Sequence, residues 1–307
     1  MADMSKQLRE TIKEITKKHL DSGYIAMGQC LTAVGWVGGT LPELYEKDGM
    51  VELSMADVAG GGFAVGAALA GRRPIYVIRY QGFNWFNAPI IINYACKSKE
   101  IWNRPCPLLI RSIAMEGSIG PVAGSSHASL YYRMPGIKIC SPMSSNEYTE
   151  IYNDFMQNDD VTYVSEHRGS FANENELETI NHEIPDITII GISITRFEAI
   201  KASHALLKKG IKTAVHHILW IKPFEPSKSL LESINNSKHG FLLLDDDYED
   251  GILKNIAYDL MMKTQKQAYV LGLKNKSAGF SKETDNLPPD AFGIVHKVEE
   301  IINYMNK

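Results

Sequence analysis

Leu53–Lys97 reads LSMADVAGGGFAVGAALAGRRPIYVIRYQGFNWFNAPIIINYACK. The stretch opens at the end of a short apolar strand, at about Val51–Ser54, and runs through Asp57 into Gly60, Gly61 and Gly62. The small apolar residues from Phe63 to Ala70 predict a buried helix packed closely on a sheet. Arg72-Arg73-Pro74 breaks that helix, because proline lacks the N–H and clashes with the preceding turn. A strand at Ile75–Arg79 follows, then the aromatic segment Tyr80–Phe86 and a helix to about Lys97. Strand, helix, strand, helix at this spacing implies right-handed crossovers in a parallel sheet.

The same alternation extends outward. An amphipathic opening helix carries Leu8, Ile12, Ile15 and Leu20 near helical spacing. A strand near Tyr24–Met27 and a loop with Gly35, Gly38 and Gly39 come before the quoted stretch. Downstream, strands near residues 107–112, 137–140 and 161–165 complete a first domain, set at residues 1–180. The polar, acidic run from about Gly169 to Pro185 reads as a linker. Strands and helices alternate again across a second, smaller domain, residues 186–307. The fold class is therefore α/β, with two doubly wound domains.

Bulk composition excludes several classes of function. The chain has 307 residues, a formal net charge of -4, 44% hydrophobic and 22% charged residues. No basic excess attracts nucleic acid or an anionic membrane, so neither is expected as a partner. No apolar run approaches the roughly 20 residues of a membrane span. The four cysteines, Cys30, Cys96, Cys106 and Cys140, contain no CxxC pair. A cytoplasmic protein with reduced thiols is expected.

Gly60–Gly66 contains GxGxxxG after a strand and before a helix, which admits two readings. One is a dinucleotide fingerprint, with Arg79 favouring a 2′-phosphate. Asp57 opposes it, since a carboxylate beside a pyrophosphate repels it. In the other, Asp57 is the point of the motif: an acid and an aromatic from neighbouring strand ends hold a flat heterocycle, where α/β sheets bind ligands. An ordinary helix N-cap is the plain alternative for Asp57.

The quoted stretch, together with PLLIRS (107–112), GPVAGSSHASLYYRMPGIKICSP (120–142) and DDVTYVSEHRGSF (159–171), resembles the β subunit of E1 enzymes of the 2-oxo acid dehydrogenase type, within the transketolase-like family. ILWIKPFEPSKSLLESI (218–234) and PPDAFGIVHKVEEIIN (288–303) resemble that family's C-terminal domain. The resemblance implies a pyrimidine-binding domain and a transketolase-like C-terminal domain. It implies thiamine diphosphate (ThDP) and Mg2+ as cofactors, and an oxidoreductase that decarboxylates a 2-oxo acid and transfers the activated aldehyde. The alternative is a split transketolase, a transferase moving a two-carbon ketol unit between sugars. By position, the family's proton-sharing glutamate falls on Asp57 and its stacking aromatic on Phe83, with Tyr80 and Phe86 flanking the same pocket. The family's diphosphate motif, Gly-Asp-Gly, does not occur in this chain. The resemblance therefore assigns the metal ligands to an α-type partner, in an α2β2 heterotetramer with apolar surface near Trp85, 90–92 and Trp102 at the interface.

Three departures accompany it. Asp57 is one methylene shorter than glutamate. Gln29 stands where the family carries an acid, so it hydrogen-bonds to the cofactor without carrying a proton. Ala123 takes the position matched to the family's loop histidine, which leaves His127, four residues on, as the candidate acid–base group. His167 at a strand end faces the same cleft on one reading. The Asp245-Asp246-Asp247 run is expected to cap and solvate a helix start.

Overall fold

The computed structural model describes residues 6–120 and 122–305; Pro121, in the Gly-Pro pair before the loop, lies outside the described residues. Two compact units emerge, residues 6–116 with 122–176, and residues 117–120 with 177–305.

In the first unit the strands are β1 (Ala26–Gln29), β2 (Met50–Leu53), β3 (Ile75–Ile78), β4 (Leu108–Ala114), β5 (Ile137–Cys140) and β6 (Val161–His167). They lie in the order β2-β1-β3-β4-β6-β5, and every pairing among them is parallel. Helices α1 (Leu8–Asp21), the turn-like α2 (Gly35–Gly39), α3 (Asp57–Leu69), α4 (Asn84–Ile90), α5 (Cys96–Trp102), α6 (Ser129–Tyr132) and α7 (Ser145–Gln157) connect them. A π-helical turn, Ile91–Ala95, joins α4 to α5, so the helix predicted to end near Lys97 runs on to Trp102. β3, β4 and β6 are buried along their whole length, as the central strands of a covered parallel sheet must be. The chain leaves β1 toward β2 on one side and β3 toward β4 on the other. The carboxyl ends of β1 and β3 thus flank a topological switch point, where such sheets bind ligands.

α3 corrects one expectation. It is not a buried helix: Val58 and Phe63 are exposed, and only the face with Gly60, Gly61, Ala64, Val65 and Ala68 packs inward. The glycines serve that packing. A Cβ on Gly60 would lie 2.8 Å from the Tyr76 hydroxyl, and one on Gly61 2.8 Å from Asn87 Oδ1. All three glycines lie inside the helix rather than in a strand–helix turn, which removes the dinucleotide reading.

α1 packs on α7, where Thr11 Oγ1 donates to Ser145 Oγ at 2.8 Å. Behind them His19 is fully buried and hydrogen-bonded at both ring nitrogens, to the Tyr152 hydroxyl (3.0 Å) and the Arg73 carbonyl (2.9 Å). A carbonyl only accepts, so Nε2 carries the proton and Nδ1 accepts from Tyr152. Burial, opposed by hydrogen bonding to the backbone at Arg73 and Ile25, lowers His19 from 6.5 to about 4. As pH falls, the unfolded chain takes up this proton first, so stability present above 6.5 is lost as pH approaches 4. The full loss is about 3 kcal/mol. Urea unfolding at pH values across that window is expected to report the decline, and His19→Gln to flatten it.

The second unit holds β7 (Ile187–Ile192), β8 (Thr213–Ile218), the short β9 (Trp220–Lys222), β10 (Phe241–Tyr248) and β11 (Ala268–Leu273), with α8 (Thr195–Lys208), α9 (Lys228–Asn236), α10 (Ile252–Thr264) and α11 (Ala291–Met305). Its four-stranded parallel sheet runs β11-β10-β7-β8. α8 and α11 close a core of Ile187, Ile189, Leu206, Val215, Leu242, Ile294 and Val298. Asp245, Asp246 and Asp247 do not cap a helix; they are buried in β10. Ser193 donates to Asp246 at 2.8 Å, and burial followed by the Asp246 charge pushes the Asp245 carboxyl well above the usual range. His216 is buried and His217 partly exposed, as alternation along β8 requires.

Candidate active site

A cleft of about 260 Å³ opens at the carboxyl ends of β1 and β3, lined by Gln29, Cys30, Met55, Asp57, Arg79, Tyr80 and Phe83 with Tyr76, Val77 and Ile78 of β3. Local sequence explains each position. Gln29 ends β1, and the chain turns sharply there, with Cys30 at φ 53. The Glu52 carboxylate pins this turn by accepting from Leu31 N (2.9 Å), Thr32 N (3.1 Å) and Thr32 Oγ1 (3.2 Å).

Asp57 is the first helical residue of α3, while Ala56 occupies the N-cap position and makes no side-chain cap. The cap reading of Asp57 therefore fails. The carboxylate instead ends a hydrogen-bonded chain: Asn87 Nδ2 donates to Asp57 Oδ1 (3.3 Å) and to the Phe83 carbonyl (2.9 Å), and the Tyr76 hydroxyl donates to Asn87 Oδ1 (2.7 Å). Burial, then the Asp57 charge, holds the Tyr76 hydroxyl above the ordinary tyrosine range. One asparagine thus ties the acid of one helix start to the aromatic of the next. The sequence reading missed Asn87 and Tyr76; the four-residue spacing of Phe83 and Asn87 was the only trace of it.

Phe83 lies between Tyr80 and Phe86, with ring centroids 6.2 and 6.5 Å away. Tyr80 and Phe83 line the cleft; Phe86 is exposed on α4 and does not. His127 does not line the cleft either. It sits beside the aromatic segment, edge-on to Trp85 at 6.4 Å, and its backbone N–H donates to Gln81 Oε1 at 2.7 Å. Gln81, fully buried, also donates to the Ser112 carbonyl (3.2 Å) and Ser165 Oγ (2.8 Å), so it fixes the histidine loop to β4 and β6. His167 is buried and accepts from Gly169 N at Nδ1 (3.0 Å), which leaves Nε2 to donate to Glu116 at 2.5 Å. The two form a closed pair rather than a wall of the cleft.

The cleft suits a flat aminopyrimidine. Gln29 Nε2 is buried without a hydrogen-bond partner among the described residues, although it faces a lining of mixed polarity. A Cβ on Gly28 would collide with the Val77 carbonyl at 2.6 Å, so only glycine lets β1 and β3 approach this closely. An acid, an aromatic and an orphaned amide are therefore presented together. Among the described residues, no group of three His, Cys, Asp or Glu side chains is placed to hold a metal ion.

Residues 2–173 match the family described as transketolase, pyrimidine binding domain, and residues 178–280 match the transketolase C-terminal domain. The chain belongs to the transketolase pyrimidine-binding family. The resemblance to E1 β subunits holds among curated relatives of this family member. The β subunit of the acetoin:2,6-dichlorophenolindophenol oxidoreductase of Cupriavidus necator is 26% identical over 256 residues, 77% of this chain and 73% of that one. The β subunit of the 2-oxoisovalerate dehydrogenase of Bacillus subtilis is 23% identical over 265 residues, 77% of this chain and 78% of that one. In fold, this transketolase-family chain is similar to a split-gene transketolase solved as an inactive β4 tetramer, with TM-score 0.74, 15% identity, and 97% and 98% of the two chains covered. It also matches 46% of a Campylobacter jejuni transketolase, with TM-score 0.71 and 13% identity. No helix among the described residues is long and apolar enough to cross a membrane.

Proposed function

We propose that this chain is the pyrimidine-holding β-type subunit of a heteromeric ThDP enzyme, which decarboxylates a 2-oxo acid and passes the activated aldehyde to an acceptor. The observation that carries the reading is the switch-point cleft, where Asp57, Phe83 and Gln29 meet. When bound, ThDP supplies a nucleophilic carbon and an electron sink. The chain's own residues bind and orient. Phe83 stacks on the ring, which adds about 1 kcal/mol beyond burial. Asp57, aimed by Asn87, holds a proton against the ring nitrogen. Gln29 donates to a ring acceptor. His127, carried on the loop that Gln81 anchors and edge-on to Trp85, is the second candidate acid–base group.

Mg2+ and the diphosphate belong in this reading to an α-type partner within a cytoplasmic α2β2 assembly. Met55 (80% exposed), Phe63 (64%) and Trp85 (59%) are apolar side chains left open on the elements that build the cleft, and this reading lets a partner cover them. A split transketolase is the second reading, favoured by the end-to-end fold match with such a chain.

Calorimetric titration of ThDP with Mg2+ into the chain alone and into the chain co-expressed with its α-type partner tests both. Binding only to the pair, weakened about tenfold by Phe83→Ala, is expected. A well-formed pair that binds no ThDP overturns both readings. Turnover of a 2-oxo acid rather than a ketose phosphate separates the first from the second.

A further inference from the structure

Gln81 stands between the end of β3 and Phe83 with its side chain fully buried. A buried glutamine is costly unless its polar atoms are all met. Here they are. Nε2 has two hydrogens and donates both, to the Ser112 carbonyl of β4 at 3.2 Å and to Ser165 Oγ of β6 at 2.8 Å. Oε1 has two lone pairs and accepts from His127 N at 2.7 Å and from Ser126 Oγ at 3.3 Å. A carbonyl only accepts and a backbone N–H only donates, so the amide has one permitted orientation. Its donor end grips the sheet and its acceptor end holds the loop.

Three further contacts seat the same loop, residues 122–127. A Cβ on Gly82 would lie 2.3 Å from the Val122 carbonyl oxygen, so only glycine fits there while the loop is in place. Ser125 N donates to the Met115 carbonyl, just past β4, at 3.2 Å. Trp85 meets the His127 ring edge-on at 6.4 Å. Against these contacts stands local strain: Ser125 takes a left-handed φ of 76°, a region that residues with a Cβ enter at a cost. Such a conformation persists only where its surroundings over-determine it. Ser125 and Ser126 are both buried in the process. Every one of these partners belongs to the first unit, so the seat is complete within it.

Chain order ties this clamp to the cofactor cleft. Gln81 and Gly82 directly precede Phe83, which lines the cleft with Tyr80. Gln81 itself does not line it, so it acts through what it holds. Its anchors, Ser112 and Ser165, sit on β4 and β6, strands buried along their whole length. A rigid anchor and a short arm fix His127 relative to Phe83, where a free loop would let it wander.

We infer that Gln81 is the positioning residue for His127: together with Gly82 it clamps the 122–127 loop in place before any cofactor binds, and so sets where the imidazole stands during turnover. The inference rests on the function proposed above for the part that His127 plays; the clamp stands on its own geometry.

Hydrogen–deuterium exchange on the full-length chain, and turnover of a 2-oxo acid by the α–β pair with ThDP and Mg2+, test it. Gln81→Met keeps the length of the side chain and removes all four hydrogen bonds. Gly82→Ala leaves Gln81 intact and pushes on Val122, and it replaces Gln81→Met in every arm if circular dichroism melting shows that the latter does not fold. The amides of residues 122–127 are expected to exchange about tenfold faster or more in either variant, while those of β3 and β4 keep their protection. In the pair, Gln81→Met is expected to lower kcat about 10²-fold, the size of an ångström-scale misplacement, with KM and ThDP affinity changed far less. Combined with His127→Ala, it is expected to turn over no slower than His127→Ala alone, because nothing is left to position. A merely structural glutamine would multiply the two defects instead. If the loop amides of a folded variant exchange at the wild-type rate, or if the double variant shows the product of the single defects, the inference is overturned. If the loop amides are released but the wild-type pair neither binds ThDP nor turns over, the clamp stands and the cofactor reading falls.

Discussion

Asp57→Asn is expected to lower 2-oxo acid turnover by the α–β pair by about 10²- to 10⁴-fold, the range for loss of a positioned acid–base group. Binding of ThDP should change far less, because the asparagine keeps the size of the side chain and still accepts from Asn87 Nδ2. The separation of a turnover defect from a binding defect identifies a group that acts on the cofactor's proton rather than on its shape. Single-turnover kinetics, read through an artificial electron acceptor, with calorimetry on the same preparation, check it. An Asp57→Asn pair that turns over at the wild-type rate removes Asp57 from the chemistry. Asn87→Leu should reproduce part of the defect, since it removes both donors that tie Asp57 to the Phe83 carbonyl.

The second large effect is on stability. Arg111 and Glu166 are both buried and meet in a bidentate pair, Nε to Oε1 at 2.6 Å and Nη2 to Oε2 at 2.9 Å. Arg111→Ala strands the Glu166 charge in the interior, and such breaks cost about 3–5 kcal/mol. The same change removes the Arg111 Nη2 donor to Thr40 Oγ1, which leaves Thr40 with its own hydrogen bond to the Val37 carbonyl. Urea unfolding should show the loss, and Arg111→Met combined with Glu166→Met should recover much of it, because replacing both charges removes the desolvation penalty along with the attraction. If Arg111→Ala alone leaves the unfolding midpoint unchanged, the pair is not holding the sheet.

Much of the candidate site could be read in the order of residues. Asp57 and the Tyr80–Phe83 pair sit just past strands that the sequence marks by apolar runs and a proline breaker, so the chain order alone carries them to one sheet edge. Phe86 could not be separated from its neighbours that way. Only the turn of α4 sends it outward while Phe83 faces the cleft. His127 was legible as a loop histidine, but its tie to Gln81 spans 46 residues and leaves no mark in local spacing.

The acidic run in β10 makes the same point from the opposite side. Three successive aspartates look like a solvated helix start, yet the sheet buries all of them. Local composition reports average solvent preference, and an interior strand of a parallel sheet overrides it where other polar groups are presented to the acids. Arg111, Glu166 and Glu52 are likewise unremarkable as letters, because their meaning lies in partners tens of residues away.

By itself, then, the sequence determined the alternation of strands and helices and the doubly wound class, which follow from periodicity and breakers, both of them local. The resemblance singled out Asp57 and Phe83 as the candidate acid and aromatic. Tertiary structure alone decided which glycines are contacts and that Asn87 joins Asp57 to Phe83. Those facts depend on which strand ends lie side by side in the order β2-β1-β3-β4-β6-β5, and a hydrogen bond is defined only once the chain has closed on itself.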